Sequence, residues 1–218
     1  MAAAKCPLIL KLCRVRVTLL DDDGTPTEDY YVSDKTITLG FTPVISEGQD
    51  REVRSGCDCI VAADKAPDIF KRFTFDLAQG TLEPGLLAML LGQTPITDAD
   101  GNTIGVNWNA DQLTCAGTAS HVALEGWSQA FDVDHPDADY PWLHLLWPDT
   151  QWQLAQNTLS ADFAQFALTG FSRGNTNFGD PYDDFPSDGT GLLQSEFFSM
   201  WLTAEDPPTA VCGVQELA

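Results

Sequence analysis

Calcium is the ligand that the acidic side chains of this sequence first invite. Asp98-Ala99-Asp100-Gly101-Asn102 has the alternating oxygen donors that open an EF-hand loop. Its glycine falls one place too early, however, and Asn109 stands where the closing Glu belongs. Asp132, Asp134, Asp137 and Asp139 form a second acidic loop, and Asp180, Asp183, Asp184 and Asp188 a third. Asp and Gly are also turn formers, so each cluster reads equally as a solvated turn. The incomplete donor patterns favour the turn, and neither a metal nor a cofactor is expected.

Other chemistry-bearing residues are sparse. His121, His135 and His144 have no i, i+4 partner and no metal-ligand spacing, so each is expected to be a strand or loop residue. Cys57-Asp58-Cys59 is a CxC, which fits neither a zinc knuckle nor a thioredoxin-like site. There is no GxSxG, phosphate-binding loop or dinucleotide fingerprint, and Gly170-Phe171-Ser172 lacks the nucleophile-elbow pattern. No enzymatic activity is expected. The aromatic run from Tyr140 to Trp147, with Trp152, has the composition of a sugar-stacking platform or of core and interface anchors.

The charge distribution excludes ordinary nucleic-acid binding. The 218 residues carry a net charge of −21. From Phe73 to the end the only Lys or Arg is Arg173, against 20 Asp and Glu. Such a surface repels phosphate. The apolar fraction of 44% is enough for a real core, and no apolar run has the length of a membrane span. The first apolar stretch is broken by Lys11 and followed by Arg14 and Arg16, so it is expected to be a strand and no signal peptide. The cysteines, Cys6, Cys13, Cys57, Cys59, Cys115 and Cys212, are expected to be reduced thiols of a protein made in a cytoplasm.

The elements that must position these residues are mostly strands. Leu8–Leu20 alternates, with a change of phase near Leu12 that predicts a bulge. Further strands are expected at Tyr30–Val32, Thr36–Phe41, Phe70–Leu77, Ser120–Phe131, Leu143–Trp147, Thr158–Phe171 and Leu192–Thr203. Residues 42–68 are poor in large apolar side chains and predict a protruding arm or long hairpin. One short helix is expected at about 83–91, opened by Pro84 with Thr81 as a candidate cap and closed by Gly92. Its Leu86, Leu87, Met89 and Leu90 should pack against a sheet. The expected fold is mainly β: a single domain, a sandwich or barrel with one helix and an arm.

Two segments together resemble a known family. The first runs from Thr42-Pro43-Val44-Ile45-Ser46-Glu47-Gly48 through Cys57-Asp58-Cys59-Ile60 and Phe73-Thr74-Phe75-Asp76-Leu77 to the helix Pro84–Gly92. The second is Leu168-Thr169-Gly170-Phe171-Ser172-Arg173-Gly174-Asn175 followed by Phe178-Gly179-Asp180-Pro181. Their order resembles the major tail tube proteins of long, non-contractile-tailed bacteriophages, especially those infecting actinobacteria.

The resemblance implies a structural virion protein with no catalytic residues. Six-subunit rings would stack into a tube, β-hairpins would join into an inner barrel, and DNA would pass through without sticking. Partners would be further copies of the chain, with a tape-measure protein, a tail terminator and a distal tail protein. Assembly would take place in the host cytoplasm, with no membrane binding by this chain. An acidic channel suits such a passage, because repulsion removes binding minima. The basic residues, concentrated in the first 72, would then lie mostly in intersubunit contacts or outside, with Arg51, Arg54, Lys65, Lys71 and Arg72 as candidate contacts. Two rival readings are a tail terminator or head–tail joining protein, which forms single rings, and a secreted β-sandwich that binds sugar or calcium.

Overall fold

Strand β1 (Leu8–Leu20) sets the architecture. Beyond its first residues Val15 and Val17 enter the main core, while Arg16 and Thr18 fill the opposite, equally buried face. The phase change near Leu12 is a real irregularity. The pairing register slips between Ile9 and Leu12 and again between Leu12 and Arg14. The computed structural model describes residues 8–54, 56–108, 120–132, 135–136, 139–157, 165–179, 197–211 and 213–216.

On one side β1 pairs with β2 (Pro26–Ser33), and on the other with β9 (Val122–Asp132). The antiparallel ladder continues from β9 through β11 (Trp142–Leu154), β12 (Phe166–Ser172) and β6 (Ile69–Gln79) to β3 (Thr36–Ser46). Short strands complete this ten-stranded sheet: β14 (Gln215–Glu216) beside β2, β10 (His135–Pro136) beside β9, and β13 (Ser199–Thr203) beside β11. The sheet curls until β3 approaches β1, and Leu39 and Leu12 both close on Gly126. Phe75, Leu77, Trp147, Trp152 and Leu168 fill the enclosed layer. Among the described residues the protein is thus mainly β, with one short helix, as the alternation predicts.

Strand β11 runs past the predicted Trp147 to Leu154. Pro148 is accommodated because the register with β9 slips between Trp147 and Thr150, so no ladder bond is asked of it. Two expected strands are shorter where described. The first is Phe166–Ser172, with 158–164 outside the described residues; the second is Ser199–Thr203, with 192–196 likewise outside.

Helix α1 (Pro84–Leu91) has Pro84 at its start and Gly92, in the left-handed conformation at φ 60°, as its C-cap. The Gln93 N–H closes the end on the Ala88 carbonyl at 2.9 Å. Every residue from Gly85 to Leu91 is buried, because the hairpin of β7 (Thr94–Thr97) and β8 (Thr103–Asn107) covers the side that the sheet does not. Leu86, Leu87, Met89 and Leu90 all join the core. Thr81 is not the cap. Glu83 holds that position and makes no side-chain cap bond. Its buried carboxylate instead accepts hydrogen bonds from the Ser33 hydroxyl and, at 3.3 Å, from Tyr31. Burial pushes its pKa up, and those two donors only partly offset the shift. No helix among the described residues is long and apolar enough to cross a membrane.

Candidate assembly surfaces

The 42–68 segment is a hairpin built as an extension of β3 and β6. Those strands stay paired out to Ser46 opposite Ile69. After a neck, β4 (Asp50–Arg54) and β5 (Ile60–Lys65) pair from Asp50–Lys65 to Arg54–Ile60. At the neck the Gly48 N–H donates to Asp68 Oδ1 at 2.9 Å and the Ala66 N–H to the Gln49 carbonyl at 3.1 Å. A Cβ on Gly48 would lie 1.7 Å from the Ala66 carbonyl oxygen, so only glycine lets the two chains pass. Every residue of β4 and β5 is exposed, and the two strands pack chiefly on each other. Val53, Ile60 and Val61 are 61%, 54% and 67% exposed. A two-stranded hairpin with nothing beneath it is marginal in water.

All five predicted contact cations lie exposed on this extended hairpin. Arg54 meets its own chain's Glu52 at 3.1 Å and Asp58 at 3.2 Å. Lys65 lies 3.8 Å from Asp68. The Arg72 guanidinium sits 5.0 Å over the Phe171 ring, and Arg51 faces Asp64 across the β4–β5 ladder. Exposed pairs of this kind are worth little. At the tip, Asp58 is in the left-handed conformation, flanked by the exposed thiols of Cys57 and Cys59.

One cation outside the predicted contact set is buried. Arg16 is buried in the body, donating from Nε to Glu125 Oε2 at 2.6 Å and from Nη2 to Oε1 at 2.8 Å. His144 Nε2 donates to the same Oε1 at 3.1 Å. The Trp127 ring stacks on His144 at 4.2 Å, with Trp201 at 4.2 Å as its other aromatic neighbour. Arg16 also lies over Trp127 at 5.2 Å. Burial alone would raise the Glu125 pKa. The Arg16 charge and the hydrogen bonds from His144 and Arg16 outweigh it and hold the carboxyl at about 2. The signal in the sequence was an ionisable residue flanked by apolar ones in each of three strands: Arg16 between Val15 and Val17, Glu125 after Leu124, and His144 between Leu143 and Leu145.

A second histidine forms a dyad with an aspartate. His121 Nδ1 donates to the Asp149 carboxylate at 3.0 and 3.1 Å. Gln151 at 2.8 Å and Arg173 at 3.4 Å occupy Nε2, the nitrogen that a nucleophile would need. Burial raises the Asp149 pKa, opposed by His121 and Arg173. Asn175 is a clamp: its Nδ2 donates to the Gly24 carbonyl at 2.7 Å and the Pro148 carbonyl at 3.1 Å, tying the β1–β2 turn to the β11 irregularity. Gly170 lies against Trp152, where a Cβ would come within 2.8 Å of the indole. These contacts give Arg173, Asn175 and Gly170 structural roles that the sequence did not reveal.

The Asp98 loop spends its oxygens on itself. Asp98 Oδ1 accepts from the Asp100 and Asn102 N–H groups, each at 2.9 Å, and Asn102 Nδ2 donates to Oδ2 at 3.1 Å. The Asn102 side chain first, then its backbone, lowers the Asp98 pKa. This is the turn between β7 and β8. Among the described residues no group of three or more His, Cys, Asp or Glu could hold a metal. Asn109, Asp134, Asp137, Asp180, Asp183, Asp184, Asp188, Cys6, Cys115 and Cys212 lie outside the described residues. Cys13, Cys57 and Cys59 carry no disulfide.

The aromatic run is largely core. Trp147 is buried edge-on to Phe75 at 5.2 Å and stacked on Phe198 at 4.8 Å, while Trp142 donates to Asp206 at 3.0 Å. A flat sugar platform is not available from side chains so committed. No protein-family model matches the sequence, and no curated protein matches it.

Proposed function

We propose that this chain is a self-assembling structural subunit, the major tail tube protein of a long-tailed bacteriophage. The observation that carries the reading is the hairpin: an exposed, coreless extension projecting from a well-packed curled sheet. A folded monomer gains nothing from it, whereas pairing with a neighbour would satisfy its edges and cover its apolar side chains. The resemblance of the Thr42–Gly92 and Thr158–Pro181 segments to tail tube proteins gives the assembly its form, stacked six-membered rings. The acidic stretch after Arg72 suits a conduit through which DNA slides without binding. In this reading the chain resides in the virion tail, with tape-measure, terminator and distal tail proteins as its companions.

Negative-stain microscopy of the purified chain, alone and released from particles, tests this. Hollow tubes of stacked rings are expected. Single rings that never stack point to a terminator or head–tail joining protein. Strict monomers from both sources overturn the assembly reading. In a high-resolution tube, a channel lined mainly by Lys and Arg would sink the acidic conduit.

A further inference from the structure

We infer that Cys57 and Cys59, at the tip of the β4–β5 hairpin, form a reversible redox site: a dithiol that closes to a Cys57–Cys59 disulfide by exchange with a small disulfide, oxidised glutathione. The site belongs to a single chain and does not rest on the assembly reading. Both thiols are exposed and neither carries a disulfide, whereas Cys13, the remaining cysteine among the described residues, is only partly exposed. Two thiols are too few for a metal centre of their own, and among the described residues no group of three His, Cys, Asp or Glu is placed to hold a metal.

The last ladder pair of the hairpin is Arg54 with Ile60, so the tip is the short turn between them. Asp58 bends that turn with a φ of 59°, left-handed backbone that residues other than glycine seldom adopt. Such a residue folds the chain as one in a helix does, in mirror image, and sets the Cα atoms on either side of it about 5.4 Å apart. Bridged cysteines have Cα separations of about 4.4–6.8 Å, so the pair already stands within disulfide range. The Cys59 side chain turns back over its partner, its thiol donating to the Cys57 carbonyl at 3.8 Å. The Asp58 carboxylate is engaged by Arg54 Nη1 at 3.2 Å, and a Cβ on Gly56 would meet nothing within 4 Å, so the tip is open to a small molecule.

One cysteine, as thiolate, attacks a sulfur of oxidised glutathione; that S–S bond breaks and one glutathione leaves as thiolate. The second cysteine, having lost its proton, attacks the sulfur of the first. The Cys57–Cys59 bond forms and the second glutathione leaves. The two cysteine protons end on the two glutathione thiols, so the cysteine pair is oxidised by two electrons and the glutathione disulfide is reduced. The ring spans three residues and lies in water. Closing so short a loop removes little chain entropy, and a tight, exposed disulfide is readily reduced. The pair therefore reports the redox state around the arm and does not hold the fold together.

The test equilibrates the full-length chain with mixtures of oxidised and reduced glutathione, alkylates the free thiols and weighs the tryptic peptides. Arg54 and Lys65 bound a peptide, 55–65, in which Cys57 and Cys59 are the only cysteines. In oxidised glutathione this peptide should be two hydrogens lighter than its dithiol form and carry no alkyl group, and dithiothreitol should restore two alkylatable thiols. Cys57→Ser should instead accumulate a glutathione adduct on Cys59, since no neighbour resolves it. Asp58→Pro, which fixes φ at a negative value, should lower the ratio of closed to open peptide about tenfold. Melting of the oxidised chain should match that of the reduced one; a marked rise would make the bond a structural staple and overturn the reporter role. A peptide that keeps both thiols in excess oxidised glutathione, carries two glutathione groups, or is found only cross-linked to another cysteine or another copy overturns the site. An Asp58→Pro chain that closes as readily as the wild type overturns the part given to the turn.

Discussion

Two arginine–glutamate pairs lie on continuous pieces of the same chain, in opposite surroundings. Arg16 and Glu125 meet inside the body, where Glu125 is fully buried and His144 adds a third hydrogen bond. Arg54 and Glu52 meet on the hairpin, both exposed. The chemistry is the same, yet the first pair cannot lose a member without stranding a charge away from water, and the second can dissolve into solvent at almost no cost. The difference extends to whole elements. β3 and β6 bury Phe75 and Leu77 beneath the sheet, whereas β4 and β5, their continuation past the neck, bury nothing. The body has a buried core of its own; the arm has none.

The sharpest way to break that contrast is Arg16→Met. It leaves Glu125 buried without its cation and should cost about 3–5 kcal/mol in urea unfolding. Replacing both partners, as Arg16→Met with Glu125→Leu, should recover much of the loss. An unchanged midpoint in the single variant would show that the site is wetter than it looks.

Leu87→Asp should cost a similar or slightly smaller amount, about 3–5 kcal/mol, by burying an unpaired charge or expelling α1. Wild-type melting in that variant would show that the helix does not hold its place between the sheet and the β7–β8 hairpin.

Acid titration separates the pairs by pH. The Glu125 carboxyl titrates at about 2 when folded and near 4.5 when exposed. A lowered carboxyl pKa contributes stability that is complete above 4.5 and fades as the pH falls toward 2. Glu83 and Asp149, whose pKa values are raised by burial, act in the opposite sense and at higher pH, above their ordinary values of 4.5 and 3.8. The Arg16→Met, Glu125→Leu protein should show a weaker loss across this window than the wild type. An identical acid profile would remove Glu125 as its source.

Arg54→Ala completes the comparison at the small end. Folding stability should change by less than about 0.5 kcal/mol, and the acid profile should not move. A larger loss, read by the same urea titration, would mean that the hairpin has a tertiary anchor in the monomer.

Much of the fold was legible along the chain because alternation and punctuation are local. Phe73, Phe75 and Leu77 on one side of Phe70–Leu77 give a half-buried strand, and Phe75 and Leu77 are buried as expected. Pro84 and Gly92 bracket the helix because one fixes φ at its start and the other tolerates the left-handed turn at its end. Thr81 misled, because Glu83 took the capping position for a tertiary purpose, reaching across to Ser33 and Tyr31. The poverty of apolar residues in 42–68 announced an arm, and its cations went with it.

The sequence by itself therefore determined which residues face together along each strand, where the helix starts and stops, and which stretch has no core to join. Tertiary structure alone decided what those faces meet. Arg16 and Glu125 are 109 positions apart, and they pair because the β1–β9 register sets them opposite each other. His144 reaches Glu125 because β11 adds to the other edge of β9 in a register that places His144 opposite Trp127, one diagonal step away. Periodicity comes from the geometry of a few consecutive residues. Register comes from the whole sheet settling at once, and a slip of one residue would have sent each of these side chains to the opposite face.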